Sequence, residues 1–330
     1  MNDSQLQQIE TLAHQTMNYH FKVWGFGEGI ALEALWDAAQ VTQNMQYRAY
    51  VLDLFENWLR RPLTEADHSA PGALLLNAYQ ETADSRYIDR AIELANHMLA
   101  LPTAATGAAF HRPHHPEFHS YIYVDCMEVD APFLCKLAAV TGGNQYYDAA
   151  VHQILSYCAL LQDDASGLFF HQYDGATGKV NGAFWGRGNG WALLGLLKTL
   201  LLLPETHTNY PLLKRRLLRL IEALTKYQFP DGSWSTVLDK PNTYSESSLV
   251  AMFGFGILLA IEKKLVDDKY LNVVDSAWSA MSRNIVNGLL EGVSVATPPG
   301  IAMHYASVTT GSGFPWGQGP ALLFALNYHN

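Results

Sequence analysis

The chain has 330 residues, of which 31 are acidic and 21 are lysine or arginine, so its formal net charge at pH 7 is −10. This charge argues against a protein that binds nucleic acid or an anionic membrane, because both ligands require a basic face. The hydrophobic fraction is 49% and the charged fraction only 16%, which excludes a disordered chain and predicts a large buried core.

The N-terminal segment and the most apolar stretches bear on cellular location. Residues 1–10 are polar and lack the basic start and apolar core of a signal peptide. Residues 192–203 and 249–261 fall short of the roughly 18 apolar residues that a membrane span needs. The three cysteines show no paired spacing, so neither a disulfide framework nor a zinc site is indicated. We therefore expect a cytoplasmic protein that is not embedded in a membrane.

One unit recurs six times along the chain. A turn rich in glycine, proline or small residues precedes a strongly apolar segment, and a polar connection into an amphipathic segment follows. The apolar segments are residues 30–39, 73–79, 133–140, 192–202, 249–261 and 321–326. Successive units start about 45 to 70 residues apart, which is long enough for one helical hairpin per repeat.

The two kinds of segment predict two rings of helices. Segments such as residues 81–99 place apolar side chains at helical spacing and charges on the opposite face, as expected of outer helices. Segments such as residues 191–203 are apolar on all sides and belong inside. No succession of strands supports a parallel sheet. The sequence therefore predicts an all-α fold, an (α/α)6 barrel of six helical hairpins. It forms one domain over residues 1–330, with the glycine-rich turns gathered at one end, the mouth.

These turns carry a set of side chains suited to binding a sugar. Sugar rings stack their C–H faces on indole, and carboxylates accept hydrogen bonds from pairs of hydroxyls. The residues concerned are Trp24, Trp185, Trp191, Trp316, Asp67 and Asp125. The alternative for each tryptophan is that it only fills the funnel of the barrel. Asp67, which precedes a helix, could equally act as a helix cap.

Arg187 lies in the sequence WGRGNGW, where glycines allow the backbone to approach a ligand closely. A guanidinium group in such a turn is suited to a bidentate pair with a carboxylate, and this favours an acidic sugar as ligand. The alternative is a salt bridge to a carboxylate at the mouth, such as Asp125.

Asp125 is the candidate general acid, because Glu128 and Asp130 follow closely and crowded carboxyl groups at an apolar mouth favour a protonated acid. The alternative, a helix cap, fits Asp130 better, since it precedes Ala131 and Pro132.

Histidines cluster in the sequence HRPHHPEFH, which begins at His111. The spacing does not match a zinc pair carried on a helix, and the prolines exclude a regular helix, so we expect no metal there. His171 is better suited to donate a hydrogen bond to a substrate. The glycines before residue 30 follow no strand, so they do not indicate a phosphate-binding loop.

The ordered set of motifs resembles a known family along nearly the whole chain. The motifs are residues 24–29, Asp67 with Pro71-Gly72, residues 124–125 and 131–134, WGRGNGW at 185–191, residues 231–234 with 237–239, and residues 244–248, 297–300 and 316–319. Together they resemble glycoside hydrolase family 105, the unsaturated rhamnogalacturonyl hydrolases, which are related to the unsaturated glucuronyl hydrolases of family 88.

This resemblance implies an (α/α)6 barrel that needs neither metal nor cofactor. The implied reaction removes a 4,5-unsaturated uronic acid from the end of an oligosaccharide by adding water to its vinyl ether double bond. The resemblance makes Asp125 the acid and base and Asp67 a group that holds ring hydroxyls. It implies substrate contacts at His171, Trp185, Arg187 and Trp191, at Trp24 and Phe26 of the first turn, and at His111 toward the next sugar.

The chain also departs from the family pattern. Phe26 stands where relatives often carry tyrosine, and Cys126, Glu128 and Asp130 add polarity to a segment that is usually more apolar. These departures affect substrate preference more than reaction class, so the identity of the sugar that is released stays open. The remaining alternatives are a sugar 2-epimerase, which uses paired histidines, and a non-catalytic carbohydrate-binding protein. Either a monomer or a homodimer is compatible with the sequence.

Overall fold

The computed structural model describes residues 3–21 and 24–329, so both ends of the expected 1–330 domain lie outside the described residues. The helices are α1 (Asp3–Met17), α2 (Glu28–Thr42), α3 (Gln46–Leu59), α4 (Gly72–Thr82), α5 (Ser85–Leu99), α6 (Cys126–Thr141), α7 (Asn144–Leu161), α8 (Gly186–Leu202), α9 (Tyr210–Lys226), α10 (Ser247–Glu262), α11 (Leu271–Arg283), α12 (Ala302–Ala306) and α13 (Pro315–Asn327). Short strands are β1 (Tyr121–Tyr123), β2 (Gln172–Asp174), β3 (Lys179–Val180), β4 (Ile285–Val286), β5 (Leu289–Leu290), β6 (Val293–Ser294) and β7 (Thr310–Gly311). Two 3-10 turns cover Glu65–Ser69 and Asp268–Tyr270.

The helices form two concentric rings. In the inner ring, α2, α4, α6, α8, α10 and α13 each contact the next helix, and α13 contacts α2 to close the circle. The outer helices α1, α3, α5, α7, α9 and α11 pack against them. The predicted (α/α)6 barrel is confirmed, and the inner helices all begin at the mouth.

Burial separates the two kinds of helix as the sequence predicts. Nearly every residue of α10 is buried. In α5 the buried residues form one stripe, and Asp84 caps the helix by accepting a hydrogen bond from the backbone N–H of Arg86 at 3.0 Å. Although α10 is strongly apolar, it has only 16 residues. Within the described part of the chain, no helix combines the length and apolar character needed to cross a bilayer.

Three details of the repeat differ from expectation. The sixth unit has no outer helix after α13, and α1 takes that place by packing on both α13 and α2, so the two ends of the described chain close the barrel. Helix α6 begins at Cys126, ahead of the expected segment, and continues through Pro132. Its packing on α4, α7 and α8 outweighs the backbone hydrogen bond that Pro132 cannot make. Helix α8 includes most of the glycine-rich turn.

Gly195 allows α8 to approach α6 closely. A Cβ added there would overlap the backbone carbonyl of Met127, two residues after Asp125. Glycine to alanine inside a helix normally stabilises it by about 1 kcal/mol. We expect Gly195→Ala instead to lower the free energy of unfolding by roughly 2 kcal/mol, because overpacking displaces backbone. Chemical denaturation measures this change.

Gly182→Ala is the matched control for the Gly195 substitution. Gly182 has open space around its Cα but a φ of 75°, so alanine there carries only the cost of the left-handed conformation, about 1 kcal/mol. A Gly195→Ala variant as stable as the unsubstituted protein would contradict the close approach of α8 to α6.

Candidate active site

A cavity of about 350 Å³ opens at the mouth of the barrel. It is lined mostly by aromatic side chains and by the loop that precedes α12. The lining residues are Gly25, Phe26, Arg112, Phe118, Tyr123, Asp125, His171, Trp185, Arg187, Trp191, Ala296, Thr297, Pro298, Pro299 and Trp316. The predicted residues Asp125, His171, Trp185, Arg187, Trp191 and Phe26 all reach this cavity. Asp67, His111 and Trp24 do not.

A small antiparallel sheet brings Asp125 and His171 together. Strands β1 and β2 pair with Tyr123 opposite Gln172. The backbone N–H of Val124 donates to the carbonyl of His171 at 3.0 Å, which extends the pairing by one step. Asp125 follows directly as the first residue before α6. The pairing therefore fixes the relative position of two side chains that are 46 positions apart in the sequence.

Asp125 is 8% exposed and reaches the cavity surface. Its Oδ2 atom lies 3.2 Å from His171 Nε2. Within the described residues, this buried Oδ2 has no well-formed hydrogen bond. One carboxylate oxygen therefore faces the imidazole without a well-formed hydrogen bond, while the residue as a whole reaches the cavity.

The expected crowding of Asp125 by other carboxylates is wrong. Glu128 turns away and accepts a hydrogen bond from Lys198 at 2.8 Å. Asp130 is fully buried and pairs with His111 at 2.8 Å. Each of these carboxylates has its own cationic partner elsewhere, which draws it from the cavity. Asp130 also lies inside α6, so it does not cap that helix.

Aromatic rings form much of the cavity wall. Trp185, Trp191, Trp316 and Phe26 all line it. Trp185 stacks on His171 with ring centroids 4.2 Å apart, which fixes the plane of the imidazole. Flat aromatic faces beside a carboxyl group suit a sugar ring, as the sequence predicts.

Trp24 lies in the core instead. It is 7% exposed and packs edge-on against Trp58 at 5.4 Å and Phe55 at 6.2 Å. The alternative that a tryptophan only fills the barrel is correct for this residue. Its neighbours in the first turn, Gly25 and Phe26, reach the cavity in its place.

Arg187 is buried, and both of its Nη groups already donate hydrogen bonds. Its Nη1 donates to the Ser294 carbonyl at 3.0 Å and to the Ser294 hydroxyl at 2.6 Å. Its Nη2 donates to the Val295 carbonyl at 2.9 Å and to Thr297 Oγ1 at 3.0 Å. The salt bridge considered as the alternative does form, but with the buried Glu246 at 3.4 Å. Arg187 therefore holds the 294–297 wall of the cavity.

Arg112 is the cation that sequence reasoning missed. It is half-buried and lines the cavity beside Phe118 and Tyr123. Among the described residues, no hydrogen-bond acceptor or acidic group pairs with its guanidinium. The available signal in the sequence was its place in the histidine-rich loop, directly after His111.

His111 is 1% exposed and lies behind the cavity wall. Its Nε2 donates to Asp130 Oδ2 at 2.8 Å, and the Tyr157 hydroxyl donates to the same oxygen at 2.7 Å. Burial opposes the charge of His111, but Asp130 outweighs it and holds the pKa of His111 well above its usual value. Burial and the neighbouring charge of His111 lower the pKa of His68 to about 3. His111 thus anchors the loop that carries Arg112.

Asp67 is fully buried, and both of its oxygens are engaged. Arg61 donates two hydrogen bonds to it at 2.7 and 2.8 Å, and Trp58 Nε1 donates a third at 2.9 Å. The Thr64 backbone N–H and hydroxyl donate at 2.7 and 3.0 Å, which forms a capping box. Asp67 therefore closes the 3-10 turn Glu65–Ser69 from within, whereas Pro71 precedes α4, so the cap of the following helix that was considered for Asp67 does not form.

We expect Asp67→Asn to lower the free energy of unfolding by about 2 kcal/mol at neutral pH, because it leaves Arg61 without its anionic partner. Burial alone would raise the pKa of Asp67, but hydrogen bonds from Arg61 and Thr64 outweigh it and lower this pKa. A lowered pKa stabilises the fold above the unfolded value near pH 4, and this stabilisation is lost as the pH falls through the folded value. Thermal unfolding of protein and variant between neutral and acidic pH measures the difference.

Asp84→Asn is the control for the Asp67 substitution, because Asp84 pairs with Arg86 at the surface. An exposed pair contributes little, so its removal should change stability only slightly. A stability loss for Asp67→Asn that stays constant down to the lowest pH would contradict the charged network.

The fold and this cavity define a helical-barrel enzyme of the carbohydrate-degrading kind, and comparison with known proteins agrees. The sequence model of Glycosyl Hydrolase Family 88 matches residues 1–330. The chain therefore belongs to glycoside hydrolase family 88, and the resemblance noted in its motifs is confirmed.

Similar proteins carry related names. The unsaturated rhamnogalacturonyl hydrolase YesR of Bacillus subtilis is 27% identical over 328 residues, covering 96% of this chain and 92% of that protein. An unsaturated 3S-rhamnoglycuronyl hydrolase of an Alteromonas species is 27% identical over 162 residues, covering 46% of this chain and 38% of its own length. The crystal structure of a possible member of family GH105 from Salmonella enterica has a TM-score of 0.90 at 25% identity, covering 99% of this chain and 93% of that one.

Proposed function

We propose that this protein removes a 4,5-unsaturated uronic acid from the non-reducing end of oligosaccharides by hydration of the vinyl ether double bond. This choice of reaction rests on the carboxyl groups of the cavity. Among the described residues that line the cavity, Asp125 is the only carboxylate. Ordinary glycoside hydrolysis needs two carboxyl groups about 5 to 10 Å apart across the scissile bond. Hydration needs one group that serves first as acid and then as base.

The proposed chemistry uses Asp125 twice. Its carboxylic acid transfers a proton to C4 of the unsaturated ring, and water adds to C5. The Asp125 carboxylate takes the proton that this water loses, which restores the acid. The resulting hemiketal opens to a ketone at C5, and the hemiacetal left at C1 then releases the neighbouring sugar with a proton. The position of Asp125 in the cavity wall suits both transfers.

We assign the substrate carboxylate to Arg112. The charge of Arg187 is committed to Glu246 and to backbone carbonyls, whereas Arg112 is unpaired among the described residues. A guanidinium group binds a carboxylate through two parallel hydrogen bonds. The flat unsaturated ring would pack against the aromatic wall of the cavity, where Phe26 and Trp316 are partly exposed. Arg187 contributes by holding the wall at Thr297.

The alternatives receive less support from the site. A sugar 2-epimerase needs paired histidines, and among the described lining residues His171 is the only one. A non-catalytic binding protein would not require a carboxyl group at the cavity whose Oδ2 lacks a well-formed hydrogen bond. We further propose one catalytic domain in the cytoplasm, as a monomer or a homodimer, that binds no nucleic acid. Rhamnose is the proposed leaving sugar, by analogy with the name of the Bacillus relative.

The test is to mix the purified protein with unsaturated disaccharides prepared by lyase digestion of rhamnogalacturonan and of a glucuronan-type polymer. The ultraviolet absorbance of the alkene conjugated to its carboxylate is then followed. We expect this absorbance to disappear, faster for the rhamnogalacturonan product, while the neighbouring sugar is released. An unchanged absorbance on every unsaturated uronide, from a demonstrably folded sample, would reject the proposed function.

A further inference from the structure

Tyr305 lies behind His171, 134 positions later in the chain, and is fully buried. Three polar groups meet at its hydroxyl oxygen. They are the backbone N–H of Gly300 at 3.0 Å, Asn181 Nδ2 at 2.9 Å and His171 Nδ1 at 2.7 Å. A hydroxyl group can accept two hydrogen bonds and donate one, so its partners are limited in kind as well as number.

The orientation of the Asn181 amide is fixed by its other contacts. Its Nδ2 lies 2.8 Å from the Gly300 carbonyl, which can only accept. Its Oδ1 accepts from the backbone N–H of Gln172 at 3.3 Å. The group that faces Tyr305 is therefore the amide nitrogen, and its second hydrogen points to the hydroxyl oxygen.

The backbone N–H of Gly300 and the amide of Asn181 together occupy both acceptor positions of the Tyr305 oxygen. The remaining hydrogen of the hydroxyl must then be donated to His171 Nδ1. We infer that Tyr305 and Asn181 are positioning residues that hold His171 as the neutral tautomer with its proton on Nε2, facing Asp125. This inference rests on the proposed function only for the role of Asp125.

Protonation of His171 at Nδ1 would place a second hydrogen against the hydroxyl of Tyr305. That hydroxyl has no free acceptor position, and burial raises the pKa of Tyr305, so it keeps its own hydrogen. The charged and titratable groups around the imidazole are Asp125 at 3.2 Å, the Tyr123 ring at 6.3 Å and Arg187 beyond Trp185.

The tautomer of His171 matters because its neighbour Asp125 must act as acid and base in turn. A cationic imidazole 3.2 Å away would hold Asp125 as a carboxylate in an ion pair and oppose its protonated form. A neutral imidazole brings no charge to the carboxyl group, so both the acid and the carboxylate form of Asp125 stay available. Tyr305 therefore keeps the acid form of Asp125 accessible.

The experiment reads the tautomer directly. The protein is labelled with ¹⁵N at its 13 histidines, and the His171 signals are assigned by their absence in His171→Gln. We expect Nδ1 to show the downfield shift of an unprotonated nitrogen and Nε2 the shift of a protonated one at neutral pH. A protonated Nδ1 in the unsubstituted protein would overturn the inference, whatever the enzyme activity.

Tyr305→Phe adds a test of the consequence. Without the hydroxyl, His171 should take up a second proton as the pH falls, and kcat at acidic pH should drop by about tenfold more than at neutral pH, with KM little changed. Tenfold is the scale of one lost hydrogen bond. The control is Tyr87→Phe, which removes a buried tyrosine hydroxyl that donates to Glu56 between the outer helices α3 and α5 and should leave the His171 signals and the pH profile unchanged. Identical His171 titration in Tyr305→Phe and in the unsubstituted protein would also reject the inference.

The tautomer measurement separates the two proposals. If the expected tautomer is found in a protein that hydrates no unsaturated uronide, the proposed function fails and the assignment of Tyr305 stands. If the alkene is hydrated but Nδ1 carries the proton, the function stands and the positioning role of Tyr305 fails.

Discussion

Replacing Asp125 with asparagine is expected to lower kcat on an unsaturated disaccharide by about 10⁴-fold or more. A positioned general acid or base contributes roughly 10² to 10⁴-fold, and Asp125 is proposed to serve as both. Asparagine has nearly the same shape, and Asp125 Oδ2 makes no well-formed hydrogen bond within the described residues, so the fold should persist. Steady-state kinetics with the alkene absorbance as readout measures the loss, and calorimetry shows that substrate still binds.

Glu128→Gln is the matched control for Asp125→Asn. Glu128 lies one helical turn further along α6, but its carboxylate is bound to Lys198 and faces away from the proposed chemistry. We expect this variant to lose stability while kcat changes little. A folded Glu128→Gln protein with the same kcat loss as Asp125→Asn would show that the acid is misassigned.

Replacing Arg112 with glutamine is expected to raise KM by about 10- to 100-fold. A hydrogen bond to a charged group contributes about 1.5 to 3 kcal/mol, and Arg112 is the cation at the cavity without a partner among the described residues. A substrate whose uronic carboxylate is methyl-esterified should bind the unsubstituted protein as weakly as the acid binds the variant. Kinetics on the four combinations of enzyme and substrate measure the coupling.

Arg60→Gln is the control for the Arg112 substitution, because it removes the same charge from an exposed position at the end of α3. It should leave KM unchanged apart from a small long-range effect that added salt screens. Equal discrimination between acid and ester by the Arg112→Gln variant and by the unsubstituted protein would assign the carboxylate to another group.

Much of the fold follows from local sequence. A segment that is apolar on every side must be surrounded by protein, so the inner helices and their order could be predicted. The residues at which the helices begin could not be predicted in this way. Gly186 and Gly190 are poor helix formers, yet both lie in α8, because the absence of a side chain lets Leu249 and Met252 of α10 pack closely there. Tertiary packing overrides propensity at these positions.

Only part of the site could be predicted, because the rest also depends on tertiary contacts. Asp125 and the cavity tryptophans lie in or next to the turns that precede the inner helices, and the repeat reveals where these turns are. The state of Arg187 depends on Ser294 and Thr297, more than 100 positions away, so its donors look free in the sequence. The contact between Tyr305 and His171 depends equally on loops that no local pattern brings together.

The order of alkene loss and sugar release, measured in deuterated water, tests the proposed hydration most directly. Alkene absorbance, release of the neighbouring sugar and the mass of the uronic product are followed together in one reaction. The account predicts that absorbance is lost no later than the sugar is released, and that the product carries one deuterium at C4, on a single face. Release of the sugar ahead of the absorbance loss, with free unsaturated uronic acid accumulating, would contradict hydration by Asp125.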